Sequence, residues 1–290
     1  MLKIALPKGS LEEKTLELFK DADLPVYREA RNYFGRIEDP RVSEVRFLRP
    51  QEIPLYVAEG YFDLGISGYD CIVENEADVE IIADLPFSRA TSRPVKMVVA
   101  VPEDSNIESI EDIPEGARIT TEFPNITRKF FESKSKKVRV YYSHGATEAK
   151  VPDIMDVVVD LTETGETLRR NRLKIIATIL ESTTKLFANR ESLKDQKKAK
   201  AIEEIRTLLV GVIEARGKVL LSMNVHRDNL EKVVSVLPAM KHPTVNKLYD
   251  SDFFEIVTVA EKSSINILLP KLKEMGAEDI LEIPITKIIK

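Results

Sequence analysis

The sequence predicts an α/β protein with a two-lobed core and a separate ferredoxin-like tail. Three patterns predict it. Apolar, β-branched runs of strand length alternate with amphipathic helical stretches, as in sheets whose strands are joined by helices. That alternation restarts after the first several elements, and the apolar run 173–180 reads as the chain returning to the first lobe, so two crossings imply a hinge with a cleft. The last stretch has the rhythm βαββαβ, the order of a ferredoxin-like module. The expected division is 1–90 with 180–215 for the first lobe, 91–179 for the second and 216–290 for the tail.

Leu2 to Leu6 reads as a strand, Pro7-Lys8-Gly9 as a turn, and Ser10 to Glu13 as a capping box that opens a helix. Lys8 is then held between a strand end and a helix start, where a lysine can reach a phosphate or simply stay solvated. Val45 to Leu48 is the next strand, followed by Arg49-Pro50-Gln51 and a helix that Gly60 closes. Asp63 to Asp70 gives a strand and a tight turn; Gly65 and Gly68 allow close approach of a ligand, or serve as turn glycines. Further strands fall at Val79–Leu85, Val95–Val101, Arg118–Thr121 and Val138–Tyr142, with Asn125 as cap of an intervening helix and Ser143 to Glu148 as a turn. A long amphipathic helix over 195–217 carries Ile202, Ile205, Leu209 and Val212 on one stripe, as a core or subunit contact would. In the tail, strands at 218–225, 245–248, 253–260 and 280–285 alternate with helices at 229–237 and 263–275.

The chemistry is expected where a buried strand beginning at Ile154 ends on Asp160 and leads through Leu161-Thr162-Glu163-Thr164-Gly165-Glu166-Thr167-Leu168 into a helix. Thr162, Thr164 and Thr167 can turn hydroxyls and backbone N–H groups toward one point, a phosphate cradle; a well-capped turn fits the same residues. Asp160, at the carboxyl end of a strand, is placed to hold a sugar hydroxyl or Mg²⁺. Glu163 and Glu166 would repel a bare phosphate. They fit a ligand that brings Mg²⁺ or ribose hydroxyls, such as phosphoribosyl pyrophosphate.

Composition narrows the class. The 290 residues carry 43 basic and 48 acidic side chains, interspersed, for a net charge of −5, which disfavours nucleic-acid binding. The one cysteine, Cys71, excludes an internal disulfide and a cysteine-based zinc site, and fits a reducing compartment. His144, His226 and His242 lack ligand spacing, so no dedicated metal site is expected. With no signal-peptide pattern and no apolar run long enough for a bilayer, a soluble, cytoplasmic protein is expected.

Several motifs, in order and at matching spacing, carry a resemblance to a known family. They are Leu6 to Ser10, Arg49 to Pro54, Asp63 to Asp70, Thr121 to Asn125, Asp156 to Leu168, and in the tail Leu237 to Val245, Gly276 to Leu281 and Pro284 to Ile289. With these, essentially the whole chain closely resembles the long form of ATP phosphoribosyltransferase. The resemblance implies a core like a periplasmic binding protein and a C-terminal domain that binds histidine as feedback inhibitor. It implies a reaction that joins N1 of ATP to C1 of phosphoribosyl pyrophosphate with Mg²⁺, in a homo-oligomer between dimer and hexamer. It also implies that Asp160 to Leu168 hold the ribose 5-phosphate, and that Lys8, Gly9, Ser10, Arg49, Asp63, Gly65, Ser67, Asp70 and Glu148 serve ATP. Lys8 and Asp160 take the catalytic roles, and His226, Thr244 and Ala277 are the expected histidine contacts. Ser10 stands where the family commonly has Arg, His144 where it has a small residue, and Val225-His226-Arg227 differs from the versions expected there. The competing readings are another phosphoribosyltransferase and a two-lobed binding or sensing protein without chemistry.

Overall fold

A computed structural model of the chain describes residues 1–29, 32–87, 94–238 and 242–290. These divide into two compact units, Met1–Arg206 and Thr207–Lys290.

The first unit opens with β1 (Leu2–Pro7), α1 (Glu12–Asp21), β2 (Val26–Tyr27), β3 (Phe34–Ile37), β4 (Val42–Leu48), α2 (Ile53–Ala58), β5 (Leu64–Gly68), α3 (Tyr69–Glu74) and β6 (Val79–Leu85). It continues through β7 (Val95–Pro102), β8 (Arg118–Thr121), α4 (Pro124–Ser133), β9 (Arg139–Tyr142), β10 (Val157–Thr162), α5 (Glu166–Arg170), β11 (Leu173–Ser182), β12 (Thr184–Asn189) and α6 (Arg190–Lys194). Among the described residues these strands form a seven-stranded sheet, β2-β3-β4-β1-β5-β12-β6, and a five-stranded sheet, β11-β7-β10-β8-β9. β1 runs parallel to β4 and β5, while β12 inserts antiparallel between β5 and β6. In the second sheet β10 and β9 flank β8 in parallel and β7 runs antiparallel to β10.

Burial explains the strand composition. Val157 and Val159 face the same core as Met97, Val99, Ile119 and Phe131, while Val158 joins Val98, Ala100 and Leu168 on the opposite face. A strand covered on both sides has no polar alternation, which is why its sequence is a continuous valine run. In the first sheet Gly65 lets β5 pass under α2: a Cβ there would lie 2.8 Å from Ile53 and Val57 and 2.9 Å from Phe187.

The structure corrects several expectations. The run 173–182 does not return to the first sheet. It is β11, an edge strand of the second, and the chain comes back only after Ser182, as β12. Leu186, Phe187 and Ala188 are fully buried in β12, but six residues with Lys185 among them give a weak periodic signal. The central strand starts at Val157, not Ile154. Ile154 is 58% exposed, and both it and Met155 bond back to Lys150 O as a turn. The strand also runs past Asp160 to Thr162. Ser10 forms no capping box; Leu11 is the N-cap of α1, and the Glu12 carboxylate instead accepts the Gly9 N–H at 3.2 Å. Asn125 lies inside α4, which Pro124 opens, and the short strands β2 and β3 escaped the sequence reading.

α7 (Gln196–Ala215) begins in the first unit and ends in the second, burying Ile202, Ile205, Leu209 and Val212. The second unit then runs β13 (Lys218–His226), α8 (Leu230–Val234), β14 (Thr244–Lys247), β15 (Phe253–Glu261), α9 (Ile265–Glu274) and β16 (Ala277–Pro284). The sheet order β14-β15-β13-β16 is that of the expected ferredoxin-like module, with the first and third strands central. Leu221, Met223, Val225 and Ile256 pack against Val233, Leu268 and Leu272 of its helices.

Candidate active site

The carboxyl ends of the parallel strands in both sheets converge on one cavity of about 610 Å³. Ligands of open α/β sheets bind at such ends because loops can diverge there and side chains are free of the ladder. From the first sheet come Lys8, Gly9 and Ser10 after β1, Arg49, Pro50 and Gln51 after β4, and Gly68, Asp70 and Cys71 after β5. From the second come Glu122 and Phe123 after β8, Ala146, Thr147 and Glu148 after β9, and Asp160 to Thr164 with Thr167 and Leu168 at β10. Ser182, Thr183 and Thr184, where the chain returns, complete the wall.

Backbone anchoring fixes each group. The Lys8 N–H donates to Leu48 O at 2.7 Å, and its ammonium lies 4.0 Å from the Tyr33 ring centroid, a cation–π contact at the cavity rim. Gly9, at φ +92°, turns the chain with its N–H on Glu12, which Arg28 in turn holds. Asp70 is buried; Ser182 Oγ donates to its Oδ1, and its own N–H donates to Ser182 Oγ at 3.0 Å. Burial, reinforced by the neighbouring Asp70 carboxylate, pushes the Cys71 thiol well up, so Cys71 stays a neutral wall residue rather than a nucleophile.

On the opposite wall, Lys150 Nζ donates to Ser143 Oγ at 2.5 Å and to Gly145 O at 3.3 Å, closing the loop that presents Thr147 and Glu148. Asp160 Oδ1 accepts the Leu161 N–H at 2.7 Å. Thr162 Oγ1 accepts the Gly165 N–H at 2.8 Å, and Gly165 turns at φ +74° before α5. Gly165 and Glu166 therefore shape the loop without lining the cavity; Glu166 pairs with Arg170 at 2.5 Å.

Three further residues expected at the site are elsewhere. Asp63 precedes β5 and so sits at the far end of the strand from Asp70. Its buried carboxylate accepts from Lys3 N–H at 2.8 Å, Ser192 Oγ at 2.6 Å and Lys198 Nζ at 2.7 Å. Gly65 is packed under α2, and Ser67 Oγ donates to Pro50 O at 2.6 Å behind the wall. In the second unit, Thr244 on β14 and Ala277 on β16 occupy opposite edges of the sheet, three strand spacings or about 14 Å apart across it, and Ala277 is level with Lys247 rather than Thr244. Ala277 is buried in the core, and His226, at the end of β13, packs edge-on to Phe253.

Sequence reasoning missed Gln51, Glu122, Phe123 and Ser182 to Thr184. Glu122 and Phe123 stand between a strand and a proline-opened helix, which is a readable signal; the Ser182 segment was hidden by the misplaced return strand.

The charges are divided. Both cations, Lys8 and Arg49, stand on the first-sheet wall with Asp70, and Glu122, Glu148, Asp160 and Glu163 on the second. Among the described residues no group of three or more His, Cys, Asp or Glu could hold a metal ion by itself. No helix among them is long and apolar enough to cross a membrane.

Comparison with known proteins fits this arrangement. Residues 49–211 match the family described as HisG, ATP phosphoribosyltransferase, and residues 215–287 match the HisG C-terminal domain. The ATP phosphoribosyltransferases of Pelotomaculum thermopropionicum and Desulforudis audaxviator are each 47% identical over 288 residues, covering 99% of both chains. That of Thermodesulfovibrio yellowstonii is 44% identical over 289 residues, covering 100% of this chain and 98% of the relative. A chain of the ATP phosphoribosyl transferase (HisG:HisZ) complex from Thermotoga maritima superposes with a TM-score of 0.62 at 30% identity, covering 72% of this chain and 99% of that one. A cavity between two α/β sheets, the T-E-T-G-E-T loop at its wall and a ferredoxin-like C-terminal unit thus coincide with full-length relatives of one kind, and the chain belongs to the ATP phosphoribosyltransferase family in its long form.

Proposed function

We propose that the cavity joins N1 of ATP to C1 of phosphoribosyl pyrophosphate and releases pyrophosphate, the first step of histidine biosynthesis. The observation that carries the reading is the opposition, across one cavity, of the Lys8 and Arg49 wall and the Asp160 to Leu168 loop. Strand ends from two sheets meet there, so two substrates can be held by different walls.

The N1–C1 bond forms as the C1–oxygen bond to pyrophosphate breaks, and the bonding pair leaves with the pyrophosphate. Positive charge develops on the ribose ring and negative charge on the leaving group. Carboxylates facing the ribose and cations facing the diphosphate match that separation, and no protein nucleophile is needed. Asp160 holds the ribose hydroxyls and Thr162, Thr164 and Thr167 surround the 5-phosphate. Lys8 meets the diphosphate, and Arg49, Asp70 and Glu148 contribute to the ATP side. Five carboxylates against two lysine or arginine cations make a poor home for two naked polyphosphates. The hard carboxylate oxygens fit Mg²⁺ arriving on the diphosphate, where it supplies charge neutralisation when bound. Holding both substrates in line can contribute about 7–11 kcal/mol of the barrier lowering, and approach of the two sheets would exclude water.

The same reading assigns histidine feedback to the C-terminal unit, oligomeric assembly to the full chain and a cytoplasmic setting to the enzyme. The test is formation of phosphoribosyl-ATP, followed by absorbance with ATP, phosphoribosyl pyrophosphate and Mg²⁺, pyrophosphatase being added to pull the equilibrium. Asp160→Ala is expected to lower kcat by about 10²–10³, the range seen when one transition-state contact is removed. Unchanged turnover in Asp160→Ala would remove that role, and no product from the wild-type chain would overturn the reading.

A further inference from the structure

Beside the Asp70–Ser182 bonds, the two walls of the cavity are joined by a contact that the substrate chemistry does not use. Glu74 closes the six-residue helix α3 of the first sheet, four residues after Asp70, which lines the cavity. Its carboxylate crosses to α4 of the second sheet, where Oε1 accepts the Asn125 N–H at 2.9 Å and Oε2 the Ile126 N–H at 3.0 Å. Asn125 Nδ2 returns a bond to Glu74 O at 3.0 Å. No side chain of α4's own N-cap residue, Phe123, does this work.

The first N–H groups of a helix lack intrahelical partners, and a carboxylate is the strongest common acceptor for them. Here the acceptor comes from the other sheet, so satisfying α4 requires α3 to be in place. Glu122 and Phe123, immediately before α4, line the cavity on one side; Asp70 and Cys71 do so on the other. Asn75, next to Glu74, donates to Gln51 O at 2.7 Å, which ties a further wall residue to the same helix end. Lys129 of α4 and Glu76, two residues past the end of α3, add an exposed ion pair at 3.0 Å.

We propose that Glu74 is a positioning residue that sets the spacing of the two cavity walls before substrate binds, by capping α4 from across the cleft. This rests on the cavity being the active site, as argued above. It predicts that loss of Glu74 changes how often the walls stand at the spacing substrates need, and leaves the chemistry of the bound complex alone.

The test places nitroxide labels at Glu59→Cys and Lys134→Cys, both exposed, one on each sheet's side, and measures their distance distribution by pulsed electron resonance in the full chain. Glu74→Ala is expected to broaden the ligand-free distribution and raise KM for both substrates about fivefold, the factor corresponding to a typical helix cap, with kcat within about twofold. Glu74→Gln, which keeps one acceptor oxygen and carries the test if the alanine variant fails to fold, is expected to fall between. A folded variant with the wild-type distribution and KM overturns the proposal, as does a fall in kcat at unchanged KM. Absence of transferase activity in the wild type would instead overturn the reaction assigned to the cavity, leaving the distance result standing on its own.

Discussion

Replacing Asp63 separates a structural carboxylate from a ligand-binding one. The Asp63 side chain is 7% exposed and accepts from Lys198 Nζ, Ser192 Oγ and the Lys3 N–H. Burial alone would lift its pKa, but the bonds from Lys198, Ser192 and Lys3 outweigh it and hold the carboxyl below its usual value. Asp63→Ala leaves all three donors without their acceptor. Breaking a buried pair costs about 3–5 kcal/mol, and because the Lys198 side chain keeps 36% of its exposure and can rehydrate, the low end, about 3 kcal/mol, is expected. For a unit of this size that is a fall in Tm of roughly 6–12 °C. Asp63→Asn, which keeps one acceptor oxygen, should lose about half as much. Since the folded pKa is depressed, the stabilisation is present above the ordinary carboxylate range and is lost as pH falls through the folded pKa. The gap between wild type and Asp63→Asn should therefore narrow toward acid. Thermal unfolding by calorimetry at neutral and acidic pH, with KM for ATP measured on the folded variants, is the assay. A Tm within 1 °C of wild type together with a raised ATP KM would refute the structural assignment and return Asp63 to the binding site.

Gly65→Ala should destabilise by about 1–3 kcal/mol, because its Cβ would meet Ile53, Val57 and Phe187 at 2.8–2.9 Å in a packed core; chemical denaturation reads it directly. Gly211→Ala should cost less, under about 1.5 kcal/mol, since the 2.5 Å neighbour is the tip of Ile289 in the C-terminal tail, which can swing away; the same titration compares the two. If the C-terminal unit takes histidine near His226, His226→Ala in the full chain should weaken histidine inhibition at least tenfold without altering uninhibited kcat, as inhibition curves would read.

The β-branched runs at 95–101, 118–121 and 157–159 determined their strands by themselves, because strands covered on both faces leave no choice of polarity. The tail's fold was equally legible, since six short elements in the order βαββαβ admit few arrangements. Lys8, Asp160 and the threonine loop were readable as cavity residues from local signals, a strand end followed by a turn, whereas Arg49 came in only through the family resemblance. What the tertiary structure decided is non-local. Asp63 and Asp70 look alike in sequence, yet one lies at the amino end of β5 beside Lys198 and the other past its carboxyl end in the cavity. The return to the first sheet through β12 depends on pairing with β5 and β6, residues about a hundred positions away or more. Glu74 reads as an ordinary surface acid of a short helix, and only the packing of α3 on α4 makes it a cap. Such partners are chosen by proximity in the folded chain, which spacing along the sequence does not encode.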